Sequence, residues 1–249
     1  MKAPLEIDWK VLGPKLWEAL PKTTPYDWPG INSNQEKSLR ALFPGFESIS
    51  PNLSALDHNR ALRRQIAPVL IAARGADVGP LARWIIVSWG GIQGGSQVEG
   101  RDPIPRWAQA LAGFTPQSIS AFHNQQGVER ISSWSKITAF ARPEEHAIYD
   151  TRIAVALNIG LASLGVQKRF HLPTSRNKSV RRAAEFFGHV GDLGYAEYLA
   201  FLSSLKEARG LPFLDAETTI FANSPDLCRK FMSELDGAAS EAALRACAQ

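Results

Sequence analysis

Ser135-Lys136-Ile137-Thr138-Ala139-Phe140 is followed, across Pro143, by Ala147-Ile148-Tyr149-Asp150-Thr151-Arg152. The first run is apolar and helix-compatible, carries one lysine near its start, and must end before Pro143. The second is a short apolar run that closes on an aspartate. An aspartate in front of Thr151-Arg152-Ile153 has the pattern of an N-cap, so a helix is expected over Asp150 to Leu164. A lysine able to attack an electrophilic carbon and a carboxylate held at a helix start are two parts of an amine-nucleophile site. The plainer reading is a solvated lysine and an aspartate that only caps. At Asp150 the two readings do not compete, because capping fixes the direction of the carboxylate.

Working outward, helices are expected at Arg106 to Gly113 and Pro116 to Gln126 before the stretch, with a hairpin from Gly127 to Trp134 leading into it. After it come Lys168, Arg169, Arg176, Lys178, Arg181 and Arg182, six cations in fifteen residues with no acid among them. Such a cluster is either a solvated face or a track for a phosphate backbone. Amphipathic helix follows at Ala183 to Leu205 and Ser224 to Ala248, around the turn Arg209-Gly210-Leu211-Pro212.

Towards the N-terminus, Ser54 to Ala73 carries Leu62, Ile66, Val69 and Leu70 at helical spacing, with Pro68 set to kink or split the helix. Arg60, Arg63 and Arg64 are read as the solvated side of its first half. Leu81 to Trp89 is apolar enough for a strand, but its helical neighbours favour a buried helix. It ends in Gly90-Gly91-Ile92-Gln93-Gly94-Gly95, where four glycines in six residues allow a ligand or another backbone to come close. Residues 1 to 50 form an irregular segment rich in proline and tryptophan, with one short helix around Trp9 to Leu20.

The order Lys136, apolar turn, Asp150 with Thr151-Arg152 resembles the helix-hairpin-helix DNA glycosylases, and within them the 8-oxoguanine glycosylase-like family. That resemblance covers residues 127 to 160. It implies a mainly α, two-lobed helical domain spanning 1–249, with a catalytic lysine at Lys136 and a charge-stabilising aspartate at Asp150. It further implies duplex DNA containing a damaged or modified base as the partner. Arg152, Arg176, Lys178, Arg181 and Arg182 are then expected along the DNA, and Trp89, Gln93, Trp134 and Phe140 around an extruded base. The chain departs from the family in lacking a Gly-x-Gly before the lysine, where it reads Gly127-Val128-Glu129-Arg130.

A base must leave the stack before its glycosidic bond can be attacked. Departure of the base builds positive charge on the sugar, which a carboxylate stabilises. A lysine amine attacking C1′ would give a Schiff base and open the way to strand cleavage, and that requires a desolvated pocket. Two alternatives remain open: a glycosylase directed at modified bases in foreign, phage DNA, and a helical DNA-binding module without catalysis.

Composition sets the outer limits. With 249 residues, 45% hydrophobic and 21% charged, the chain has the make-up of a folded domain. A net charge of +4 suits a polyanion contacted through a patch. Cys228 and Cys247 cannot supply the four thiolates of an iron–sulfur cluster, and His58, His123, His146, His171 and His189 show no metal-ligand spacing. No cofactor or metal is therefore expected. No run approaches the ~18 apolar residues of a membrane span, so a monomeric cytoplasmic protein is the expectation.

Overall fold

A computed structural model describes residues 7–73, 78–92, 103–127, 129–174, 178 and 180–247. The described chain is mainly helical, with eleven α-helices, and its one β feature is an isolated parallel bridge between Phe170 and Leu193. It divides into two compact units. Unit 1 comprises residues 1–25, 150–211 and 216–249; unit 2 comprises residues 26–149 and 212–215.

Unit 1 is built from α1 (Trp9–Ala19), α8 (Thr151–Ser163), α9 (Arg181–Phe187), α10 (Tyr195–Arg209) and most of α11 (Phe213–Cys247). Helix α8 is its centre: every residue from Thr151 to Leu161 except Arg152 is buried. Two glycines let the neighbouring helices close on one another. A Cβ at Gly13 would lie 1.9 Å from Ser204 Oγ of α10, and one at Gly160 would lie 2.6 Å from Leu16 Cδ1 of α1. Asn158 holds the extended segment beside α8 with both ends of its amide, donating to the Phe170 carbonyl at 3.0 Å and accepting from Phe170 N at 2.6 Å. Buried backbone polar groups need such partners.

Unit 2 contains α2 (Ser33–Leu42), α3 (Ala55–Ala72), α4 (Val78–Arg83), a π-helical turn (Trp84–Trp89), α5 (Ile104–Ala110), α6 (Pro116–Gln126) and α7 (Ile131–Ala141). Helix α7 has no polar side: Ile131 and every residue from Trp134 to Ala141 are buried. It packs on α3, whose Leu62, Ile66 and Leu70 are fully enclosed. Each of those three contributes about 1.5–3 kcal/mol of burial.

Several expectations need correction. Helix α7 starts at Ile131, so Ile131 to Trp134 are helical and not part of a hairpin, and Arg130 in front of them takes a left-handed φ of 52°. Of the two outcomes expected at Pro68, a kink or a split, the split is excluded, because α3 is one helix from Ala55 to Ala72 behind its Ser54 cap. The N-terminal segment holds a second helix, α2, opened by a reciprocal capping box between Asn32 and Gln35 at 2.9 Å in each direction. The apolar run Leu81 to Trp89 is helical, but its second half winds as a π turn. Arg63, read as solvated, is 1% exposed.

Candidate functional site

Lys136 stands in the second turn of α7 and is 7% exposed. Its stem runs along packed surface, and the amine turns back on its own helix, towards the serines one turn earlier. Nζ donates to the Ser132 carbonyl at 2.5 Å. The stem also lies against the end of the π turn, where a Cβ at Gly90 would come 2.9 Å from Lys136 Cδ. The solvated-lysine reading therefore does not hold for this residue.

The same region gathers aromatic and cationic side chains. Trp89 and Phe140 meet edge to face with centroids 4.8 Å apart, and Trp28 lies 5.9 Å from Trp89. The Arg63 guanidinium sits over both rings, 5.3 Å from the Phe140 centroid and 6.0 Å from that of Trp89. Arg63 Nε donates to Asn59 Oδ1 at 3.3 Å, and Asn59 Nδ2 donates to the Tyr26 hydroxyl at 3.1 Å. Cation–π contact of this kind gains strength when water is excluded. Trp84 Nε1 ties the π turn to α2 through Ser38 Oγ at 3.0 Å, and Gln35 Nε2 reaches the Ser88 carbonyl at 2.5 Å.

Of the residues expected around a base, Trp89 and Phe140 are brought together with each other, and Gly90, next to Trp89, meets the Lys136 stem. Trp134 is not with them. It is fully buried on another side of α7, its ring tilted against that of His123 with centroids 4.6 Å apart, and Nε1 donates to the Glu129 carbonyl at 2.9 Å. Gln93 lies outside the described residues. Arg63 and Trp28 are the neighbours that sequence reasoning missed, whereas Gly90 opens the glycine run marked there for close approach. A signal for Arg63 existed, since Ile66 and Leu70 follow it at i+3 and i+7 on one stripe of α3.

Half-buried His123 and buried His146 form a second cluster in unit 2, with ring centroids 5.6 Å apart. Burial pushes His123 down to about 3, helped by the nearby His146. Burial likewise pushes His146 down to about 4, with Glu145 opposing and Arg142 adding to the shift. Both rings are neutral near pH 7.

Asp150 belongs to unit 1. Its Oδ1 accepts from Ile153 N at 3.1 Å, the expected N-cap of α8. Helix α8 is anchored just behind that cap by Thr151 Oγ1 donating to the Pro173 carbonyl at 2.8 Å. Arg152 lies half-buried with its guanidinium 4.5 Å above the Phe221 ring, and its carbonyl accepts from Ser224 Oγ at 2.9 Å. Tyr149, the last residue of unit 2's long segment, is fastened to α7 by its N–H on Ser135 Oγ at 3.1 Å.

The basic segment is also in unit 1. Lys178, Arg181 and Arg182 are exposed, and Arg176 lies outside the described residues. An acid does face this segment, supplied by α11: Asp236 accepts two bonds from Arg182 at 2.7 and 2.9 Å. The pair borders a hollow of about 290 Å³ lined also by Cys228, Arg229 and Met232. Burial raises the Cys228 thiol to about 11, leaving it protonated and unreactive at neutral pH.

Among the described residues no three His, Cys, Asp or Glu side chains converge as metal ligands. None of their helices is long and apolar enough to cross a membrane. Comparison with protein-family models finds no match to this sequence, and comparisons with curated proteins and with solved structures find none either.

Proposed function

We propose that this chain is a DNA N-glycosylase that excises a damaged or modified base from duplex DNA, with Lys136 as its nucleophile. The observation that carries the reading is the enclosed lysine: Lys136 is 7% exposed on a helix buried along most of its length, with its stem against the bare backbone of Gly90. In the reaction the amine, as free base, attacks the sugar C1′. The C1′–N bond breaks, and the base leaves with the bonding electrons and takes up a proton. The resemblance gives Asp150, fixed by the Ile153 N–H, the role of stabilising the charge growing on the sugar, and the new secondary amine gives up its proton to water. Opening of the sugar then gives a Schiff base, from which the strand can be cleaved.

The test is incubation with a panel of duplexes, each carrying one modified base, followed by abasic-site detection and borohydride trapping. Wild type is expected to give a covalent protein–DNA adduct on at least one duplex, and Lys136→Gln none. Base release that persists in Lys136→Gln, with no adduct in either protein, would move the chemistry to the carboxylate alone. No abasic site on any duplex would sink the reading in favour of a binding module. Asp150→Asn retains a capping oxygen and loses the charge, so base release should fall by orders of magnitude with little loss of stability. Asp150→Ala should cost a further ~1 kcal/mol in unfolding free energy through the lost cap. Activity per folded molecule that survives both substitutions assigns Asp150 to the fold alone.

A further inference from the structure

Gly90 closes the π turn at φ −79° and ψ −6°, angles open to any residue. Its backbone therefore does not call for glycine; the space around it does. A Cβ there would come 2.9 Å from Lys136 Cδ, and 2.9 and 2.8 Å from the carbonyl oxygens of Ile85 and Ile86. Those oxygens belong to the turn itself, so a methyl group has no room to retreat from the lysine. The turn also decides where position 90 falls. Gly90 N donates to the Ile85 carbonyl at 2.9 Å, a bond reaching back five residues instead of four. Single π turns inside helical runs are frequent at functional sites.

We infer that Gly90 is a positioning residue for Lys136: the bare backbone at the end of the π turn holds the lysine stem in place and keeps side-chain bulk from the amine. Its kinetic test rests on the glycosylase reading; the contact itself does not. The first measurement accordingly needs no DNA. Reductive methylation with formaldehyde and borohydride, read by peptide mass mapping, gives a rate for each lysine. Lys10 and Lys230, with side chains 82% and 77% exposed, serve as internal standards. In Gly90→Ala the stem is displaced and the Lys136 rate should rise severalfold relative to both standards. An unchanged ratio overturns the inference.

The kinetic arm separates an effect through the lysine from general damage. Gly90→Ala should lose about 100-fold in adduct formation, the scale of a 1 Å misplacement, with duplex affinity unchanged. Lys136→Gly supplied with methylamine replaces the tethered amine by a diffusible one. If Gly90 acts through the lysine, adding Gly90→Ala to Lys136→Gly leaves the amine-rescued rate unchanged, because the methyl leans into the vacated space. An equal loss in both backgrounds overturns the inference. Should Gly90→Ala alone fail to fold, the double variant is expected to fold cooperatively, and a double variant that also fails would overturn it. A wild type that forms no adduct on any duplex defeats the glycosylase reading and leaves the methylation ratio to decide Gly90.

Discussion

In unit 2, His58, Arg63, Lys136 and His146 are each less than a tenth exposed. In unit 1, Arg182, Arg229 and Lys230 stand 65%, 68% and 77% exposed, facing Asp236, Asp226 and Glu234 respectively. The same residue chemistry is thus put to opposite uses. A surface ion pair is worth little, because water and salt already screen it. A buried basic group costs several kcal/mol unless the surroundings are arranged for it. Unit 2 supplies that arrangement with aromatic faces and backbone carbonyls; unit 1 holds Arg152 over the Phe221 ring but leaves these three cations to solvent and nearby acids. A region that carries such a cost is where chemistry is to be sought; a region of paired surface cations is where a polyanion can exchange partners.

Acid should break the contrast most severely. In the unfolded chain His123 and His146 titrate near the ordinary 6.5; in the folded protein they are held down at about 3 and about 4. Above pH 6.5 they contribute nothing to the pH dependence. Below it the unfolded state binds protons that the folded state refuses, and each histidine lowers stability by up to ~1.4 kcal/mol per pH unit. The loss levels off only as pH falls through the folded values. Between pH 6.5 and 4.5 the two together should remove several kcal/mol. Burial lowers His58 too, in the same direction. Urea unfolding across that range measures the slope, and His123→Gln should reduce it by one proton. A flat profile in wild type would mean that water reaches these rings.

Arg63 offers the next largest effect. Arg63→Ala removes a guanidinium held over Trp89 and Phe140 and bonded to Asn59, and leaves a hole in the interior. Its expected cost is about 3 kcal/mol, the range of core lesions. Arg63→Lys should recover only part of this, because an ammonium cannot reproduce a planar group stacked on two rings. Truncating exposed Arg229 should move stability by less than about 0.5 kcal/mol. Equal losses at the two positions would erase the distinction between the regions.

How much of this the sequence discloses follows from the same physics. Helices α7 and α8 are legible because apolar runs, Pro143 and the Asp150 cap are local signals. Phe140 shares α7 with Lys136 at i+4, but Trp89 reaches Phe140 across 51 positions, and only tertiary packing joins them. Helix α2 was missed because Ser33 to Leu42 buries only Leu39, leaving almost no periodicity; its Asn32–Gln35 box was the one signal. The π turn has no sequence mark, since one extra residue per turn leaves an apolar run looking the same. His123 meets His146 across 23 positions, and only tertiary packing joins them. Arg182 appeared uncompensated because its acid, Asp236, lies 54 residues further along the chain.

That last pairing sharpens what the basic segment should do if duplex DNA is the partner. Phosphate contacts set the salt dependence of binding at about one unit of slope per contact, whatever the base sequence. Counted from sequence, the Arg181→Ala, Arg182→Ala double variant should lose about two units of slope. With Arg182 already held by Asp236, only Arg181 is available without exchange, and the loss should be about one unit. Asp236→Ala frees Arg182 for a phosphate and should steepen the slope by a similar amount, with stability nearly unchanged because the pair is exposed. The measurement is affinity for one undamaged duplex at several salt concentrations. A two-unit loss in the double variant would show that Arg182 leaves Asp236 when DNA arrives. An unchanged slope in every variant would place these cations outside the DNA track, and the search would pass to Arg60 and Arg64 on α3. There Arg60 is already held by Asp57 and by Asp215 at 2.7 Å, so exposed Arg64 would be the first position to test.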